Sequence, residues 1–298
     1  MKKHYLLIIL IFLFFNVSCN NHAVKTENTH SINKTDTIPF TMVDTVPQGI
    51  HVASYAPYNR LYCHATVGGK SFRALIDNGY THSALTEDFL CQLGENVQCI
   101  EQGNKSKTYL TDLTLSLHSS DVKLDTIYTI DIDWDADCQG IIGIELFESN
   151  IVELDFINRQ MIIHSEIPNK ISSYKALDLF TSSKDTVFGA LRRTKIDGFV
   201  NIKGEKTSAV LTVDLGCPYL AWEENFRKTI TTDSSKQDYN SMAYLLLKTS
   251  HQLNDYSMPI SKVDIEDQDG LMGMDFLSHF NVIFDYPHNK LYLKPNKK

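Results

Sequence analysis

Two aspartates stand in matching surroundings. The apolar run Phe72-Arg-Ala-Leu-Ile leads into Asp77-Asn-Gly, and Ser208-Ala-Val-Leu-Thr-Val leads into Asp214-Leu-Gly 137 positions later. A lone Asp-Asn-Gly is usually a hairpin turn, because Asn and Gly both tolerate positive φ. The recurrence of Asp before x-Gly, each time at the end of a β-prone run, points beyond a turn. What two such carboxylates can do together is acid–base chemistry, one acting as base while its protonated twin acts as acid. Two charges ~4 Å apart at an effective dielectric of ~20 repel by about 4 kcal/mol, roughly three pKa units, so a close pair keeps one proton between them.

Bringing together residues this far apart in sequence requires a scaffold that repeats, and the chain contains one. Gly140-Ile-Ile-Gly143-Ile-Glu-Leu-Phe147 aligns with Gly270-Leu-Met-Gly273-Met-Asp-Phe-Leu277 at an offset of 130. Without a gap, Val152-Glu-Leu-Asp155-Phe then matches Val282-Ile-Phe-Asp285-Tyr, and Asn158-Arg-Gln-Met-Ile-Ile163 matches His288-Asn-Lys-Leu-Tyr-Leu293. Upstream, Val67-Gly-Gly-Lys-Ser-Phe72 corresponds to Gly204-Glu-Lys-Thr-Ser-Ala209 at the offset of the two aspartates. A fixed-period self-match of this kind marks a duplicated unit. Each half reads as strand, turn, strand, Asp-x-Gly, variable hairpins, Gly-apolar-apolar-Gly, short helix and closing hairpin. Leu61 to Val67 alternates, Gly68-Gly69 turns, and Phe72 to Ile76 returns as a buried strand. Leu85 to Leu93 has helical spacing, opened by Thr86-Glu-Asp and closed by Gly94. Leu113-Thr-Leu-Ser-Leu117 and Val122-Lys-Leu alternate about Ser119-Ser-Asp, which predicts a hairpin. Long helical patterns are absent, so the class is mainly β.

These passages resemble the aspartic peptidase superfamily in its retropepsin-like and pepsin-like forms, over about 230 of the 298 residues. The resemblance implies two β lobes of the acid-protease type, related by a pseudo-twofold axis, with short helices and a central cleft. One Asp from each lobe stands on the cleft floor, so Asp77 and Asp214 are the candidate catalytic pair. Asn78, Gly79, Leu215 and Gly216 would support the two catalytic loops, and Gly143 and Gly273 would pack beneath them. The activity implied is hydrolysis of peptide bonds by a water that the dyad activates, without a cofactor, on a peptide or protein substrate. Both Asp loops lie in one chain, so the expected working form is a monomer. The loops also depart from the pattern. Where the family carries Thr or Ser after each Asp, whose hydroxyl joins a reciprocal grip between the loops, this chain has Asn78 and Leu215. Asn can donate and accept; Leu can do neither. Tyr80 and Cys217-Pro218 replace small or hydroxylated residues and are expected to crowd or stiffen the loops. Two readings follow: an aspartic endopeptidase, or a catalytically weak or inactive module that binds peptide or a partner protein in the same cleft.

The N-terminus reads as a targeting segment. Lys2-Lys3 precedes a continuous apolar run from Tyr5 to Phe15, too short to span a bilayer. The residues before Cys19 resemble the lipobox of bacterial lipoproteins, with Asn16 at a place where an aliphatic residue is usual. The expectation is therefore a signal peptide over 1–18 and a lipidated Cys19 anchoring the chain to the membrane of the bacterial cell envelope, on either its periplasmic or its surface face. A plain secretory signal remains the alternative. Polar, aperiodic sequence predicts a flexible tether over 19–45, then an N-terminal lobe over 46–168 and a C-terminal lobe over 190–298.

Composition excludes other classes. The net charge is −8, and nearer −10 without Lys2 and Lys3, so nucleic acid is not an expected partner. The 11 histidines include no H-E-x-x-H and the cysteines no C-x-x-C, so no metal site is predicted. Gly-x-Ser-x-Gly is absent too. Asp131-Ile-Asp-Trp-Asp-Ala-Asp137 lacks the Gly and Glu of a calcium hand and reads as a solvated rim. Tyr109 is a candidate flap residue. After Cys19 five cysteines remain, an odd count, of which Cys91 and Cys99 are close enough in sequence to bridge.

Overall fold

Val67 and Lys70 face each other across Gly68 and Gly69, both at positive φ (55° and 76°), the backbone a two-residue hairpin needs. The hairpin founds the first lobe of the computed structural model. Residues described are 35–42, 59–94, 97–102, 107–132, 135–181, 194–202, 205–218, 221–223, 242–247, 256–259, 261–263 and 269–296. The predicted signal segment and Cys19 lie outside them.

The first lobe is a seven-stranded sheet. Counting from β1 (Thr35–Pro39), its strands are β2 (Tyr62–Val67), β3 (Lys70–Ile76), β4 (Ala84–Leu85), β5 (Val97–Gln102), β6 (Lys107–Leu117), β7 (Ser120–Thr129) and β8 (Gly140–Ile142), in the order β2-β3-β8-β4-β7-β6-β5. The alternating runs fold as their pattern requires: Leu113, Leu115, Leu117, Val122 and Leu124 are buried while Thr114, Asp121 and Lys123 are exposed. The turn between β6 and β7 falls on His118-Ser119, with His118 at φ 58°. Helix α1 (Glu87–Leu93) starts after Thr86, buries Phe89, Leu90 and Leu93, and ends at Gly94.

The second lobe repeats this plan with β12 (Phe180–Thr181), β13 (Thr194–Ile202), β14 (Glu205–Val213), β15 (Ala221–Glu223), β16 (Met242–Leu247), β17 (Tyr256–Pro259), β18 (Ser261–Val263) and β19 (Gly270–Met272). The offsets read from sequence reappear as register. Ala74, Leu75 and Ile76 of β3 run parallel to Gly140, Ile141 and Ile142; Leu211, Thr212 and Val213 of β14 run parallel to Gly270, Leu271 and Met272. Ala84 opposes Ile141 just as Ala221 opposes Leu271. A short helix follows each of these inner strands, α2 (Glu145–Glu148) and α3 (Met274–Leu277).

A third, six-stranded sheet joins the halves. Its order is β1-β10-β9-β20-β21-β11, where β9 is Ile151–Asp155, β10 Gln160–His164, β11 Lys175–Asp178, β20 Phe280–Asp285 and β21 Lys290–Pro295. The order is a palindrome. The closing hairpins β9–β10 and β20–β21 are each other's images, with Arg159 and Asn289 left-handed at the same turn position (φ 54° and 55°). They meet at β9–β20, where Val152 faces Phe284, Glu153 faces Ile283 and Leu154 faces Val282. Exchanging the halves at an offset of 130 maps these three pairs onto themselves, so the pseudo-twofold passes through Glu153 and Ile283. Val152, Leu154, Val282 and Phe284 join strands of both lobes in one core cluster.

Three sequence expectations need correction. The predicted tether contains β1, which pairs with β10 from Thr35↔His164 to Pro39↔Gln160. Its composition is polar because Asp36, at 3% exposure, is satisfied from afar: its Oδ1 lies 2.9 Å from His118 Nδ1 and its Oδ2 accepts Ser119 N–H at 2.9 Å. The repeat is also longer than the predicted lobes. Phe40 N–H donates to Arg159 O at 3.0 Å and Leu179 N–H to Asn289 O at 2.9 Å, so β1 and β11 are equivalent leading strands, one per half. The Cys91–Cys99 bridge is likewise not formed; Cys91 is a free, exposed thiol.

Candidate active site

Each Asp is delivered by the same backbone bonds. Asp77 N–H donates to Ile142 O at 3.0 Å, and Asp214 N–H to Met272 O at 3.1 Å. The loops then sit on the Gly-apolar-apolar-Gly segments: Ile144 N–H donates to Tyr80 O and Met274 N–H to Cys217 O, both at 2.9 Å. Gly143 and Gly273 precede α2 and α3. Gly143 packs against His82 so closely that a Cβ would stand 2.6 Å from the His82 carbonyl carbon. Glu145 braces the first loop by accepting from Ser83 N–H at 2.8 Å and Ser83 Oγ at 3.2 Å.

The loops interlock at their tips. Asp77 Oδ1 accepts Gly79 N–H at 2.8 Å; Asp214 Oδ1 accepts Gly216 N–H at 2.9 Å and Cys217 N–H at 3.1 Å. Each glycine abuts the carboxylate of the opposite loop. A Cβ on Gly79 would lie 2.7 Å from Asp214 Oδ1, and one on Gly216 would lie 2.1 Å from Asp77 Oδ2. A side chain at either place would have to displace the opposite carboxylate, and with glycine at both the two carboxyl groups stand close enough for Asp214 to act on Asp77. Burial first, and the charge of Asp214 second, push Asp77 up to about 7, against the opposing pull of Gly79 N–H and the Arg60 guanidinium.

The grip between the loops is one-sided. Asn78, 1% exposed, reaches into the second loop: its Oδ1 accepts Leu215 N–H at 2.7 Å, and its Nδ2 donates to Val213 O at 2.9 Å. A carboxamide has both a donor and an acceptor, so one side chain ties two backbone groups of the opposite loop. The same Nδ2 donates to Tyr286 Oη at 2.8 Å, and Tyr286 Oη also hydrogen-bonds Thr194 Oγ1. Burial, ahead of any other influence, pushes the Tyr286 phenol up to about 12, so it stays protonated and able to donate. Leu215 is fully buried in the shared core and returns nothing polar.

The other departures are accommodated. Tyr80 packs against the cluster of Tyr62, Leu75, Cys138 and Ile141. Cys217 is buried and forms no disulfide, and Pro218 O accepts Asn59 Nδ2 at 2.6 Å from the other lobe. The acidic segment is not wholly a solvated rim: Asp135 pairs with Arg73 at 2.6 Å and is 10% exposed. A polar groove of about 680 Å³ lies between α1 and this segment, lined by Thr86, Glu87, Asp131 and Gln139 among others; the two loop aspartates are not in its lining. Tyr109 lies in β6 opposite Ile127, and its side chain lies outside the described residues. Among the described residues no group of three or more His, Cys, Asp or Glu is placed to hold a metal ion.

Sequence reasoning missed Tyr286, Thr194, Asn59 and Arg60. Tyr286 had a signal, since its equivalent in the first half is Phe156 and the hydroxyl is the difference. The other three lie in no repeated motif.

No family model matches the chain, and no curated protein does. Among solved structures the chain is similar to the crystal structure of aspartic proteinase from Irpex lacteus, with a TM-score of 0.56 and 12% identity, covering 88% of this chain and 98% of that one. At that identity the likeness establishes the fold: a mainly β chain of the aspartic-proteinase architecture.

Proposed function

We propose that the chain is an aspartic endopeptidase with Asp77 and Asp214 as its catalytic pair. The observation that carries this reading is the interlocked contact in which each loop's glycine abuts the other loop's carboxylate. Asp214, with two backbone N–H donors on Oδ1, is suited to carry the charge, and Asp77 to keep the proton. In the reaction, Asp214 takes a proton from water as its oxygen bonds to the peptide carbonyl carbon. Asp77 gives its proton to the amide nitrogen as the C–N bond breaks. The pair ends with one proton, as it began.

The same reading takes the substrate to be a peptide or protein, the working form to be a monomer, and Cys19 to anchor the domain in the cell envelope through a lipid. The test is cleavage of a mixed peptide library between about pH 3 and pH 7 by the wild type, Asp77→Ala and Asp214→Ala. Cleavage by the wild type alone is the expected result. The one-sided grip favours a second reading, a binding module that keeps the loops without turnover. Peptides bound but uncleaved by all three proteins would establish that reading instead.

A further inference from the structure

The ladder between β2 and β3 does not stop at its last named pair. Tyr62 faces Leu75, and Ile76 N–H donates to Leu61 O at 2.9 Å, which brings Arg60 level with Asp77. Facing residues of an antiparallel pair project to the same side, and Arg60 therefore shares a face with Asp77, Tyr62 and Leu75. Only 6% of Arg60 is exposed. A guanidinium is rarely taken out of water without a negative charge to meet. Its neighbour Asn59, left-handed at φ 51°, reaches the second loop through Pro218 O. The Asn59-Arg60 dipeptide thus reaches the second loop and lies level with the first, from a segment preceding either.

We propose that Arg60 is a positioning residue of the Asp77–Asp214 pair, a buried cation that holds the negative charge appearing on Asp77 when that residue gives up its proton. This rests on the peptidase reading for its chemistry, though not for its electrostatics. The acid of the pair must become an anion within a desolvated site, where Asp214 opposes that change and the groups facing it are Arg60, Tyr80 and Tyr286. Both phenols sit above their ordinary range because of burial, so Arg60 is the cation of the set. Its field lowers Asp77 and also Tyr62 beside it.

The test uses the full chain with Arg60→Gln, Arg60→Met and Arg60→Lys, in wild-type and Asp77→Asn backgrounds. Two curves are measured from about pH 3 to pH 9: urea-unfolding stability, and kcat/KM on a cleaved peptide. The neutral variants should displace the pH-dependent fall of both curves upward by about one pH unit. Arg60→Lys should restore the wild-type positions, and Asp77→Asn should erase the displacement in stability. A neutral variant that folds and lowers either curve uniformly, without displacing it, overturns the proposal. If no peptide is cleaved but the stability curve shifts, the role of Arg60 stands and the peptidase reading fails. If both neutral variants fail to fold while Arg60→Lys folds with unshifted curves, the charge itself is what the site requires, as proposed. If Arg60→Lys also fails to fold, the shape of the guanidinium is required rather than its charge, and the proposal is overturned.

Discussion

The Asp77 and Asp214 loops are built by equivalent backbone bonds yet are held by different means. Loop one sends a carboxamide across the axis, backed by Tyr286 and Thr194; loop two sends an isobutyl group into the core. The comparison teaches that a symmetric site does not need symmetric restraint. One residue that both donates and accepts ties two backbone groups of the opposite loop, and its partner position is released to packing.

The largest effect expected is on the chemistry, where the loops should behave alike. Asp77→Asn and Asp214→Asn should each lower kcat/KM on a cleaved peptide by roughly 10²–10⁴-fold. A pair in which one variant keeps most of its activity would break the equivalence of the loops. Restraint should distinguish them. Asn78→Leu leaves Leu215 N–H and Val213 O buried without their partner, and should cost about 3 kcal/mol in urea unfolding. Leu215→Thr should cost only about 1–2 kcal/mol, from lost packing, and should raise kcat if its hydroxyl completes the return grip. Equal costs for the two positions would show that the grip is packing alone.

A third effect concerns pH. Asp77 is raised in the folded chain above the unfolded value of about 3.9. The native state therefore binds more protons between those values, and stability is fully present below about pH 4 and lost as pH rises toward about 7. A fall in urea-unfolding stability across this window, flattened by Asp77→Asn, is the expected result. Asp36 and Glu153 work the other way. Burial alone would raise both. Ser119, Ser120 and His118 hold Asp36 below its ordinary range, and His164 and Lys170 do the same for Glu153, so their share of stability is lost at the acid end. The smallest effect should come from Tyr286→Phe, which removes the hydroxyl behind Asn78 and should cost about 1 kcal/mol. The same change at the equivalent position is already present in the other half, as Phe156.

The repeated cores were legible because their burial follows local alternation, and because the offsets of 130 and 137 turned into register pairs at Gly140 and Gly270. Strands β1 and β11 were not legible. Only alternate residues of each are buried, and Asp36 is paid for by a hairpin more than 80 positions away. At the candidate site, the aspartates and glycines were legible as a motif. The roles of Tyr286, Arg60 and Asn59 were not, since each depends on which loop it meets across the axis. That Leu215 carries no donor or acceptor is plain from its type, but sequence could not reveal that Asn78 alone would tie two backbone groups of the opposite loop.

The pseudo-twofold runs through Glu153 and Ile283, and this bears on how the chain could be divided. Glu153, with no exposure, accepts from Lys170 Nζ at 2.6 Å and Tyr174 Oη at 3.3 Å, with His164 Nε2 at 2.8 Å. Were the two halves expressed apart, each would present a self-complementary edge at its central strand. Two copies of the first half would set Glu153 against Glu153, like charges directly opposite in a buried strand pair. Two copies of the second half would set Ile283 against Ile283, an apolar pair with no such penalty. The first half is thereby less suited than the second to homodimerise along this edge, and the intact chain is the combination that pairs one carboxylate with one aliphatic residue.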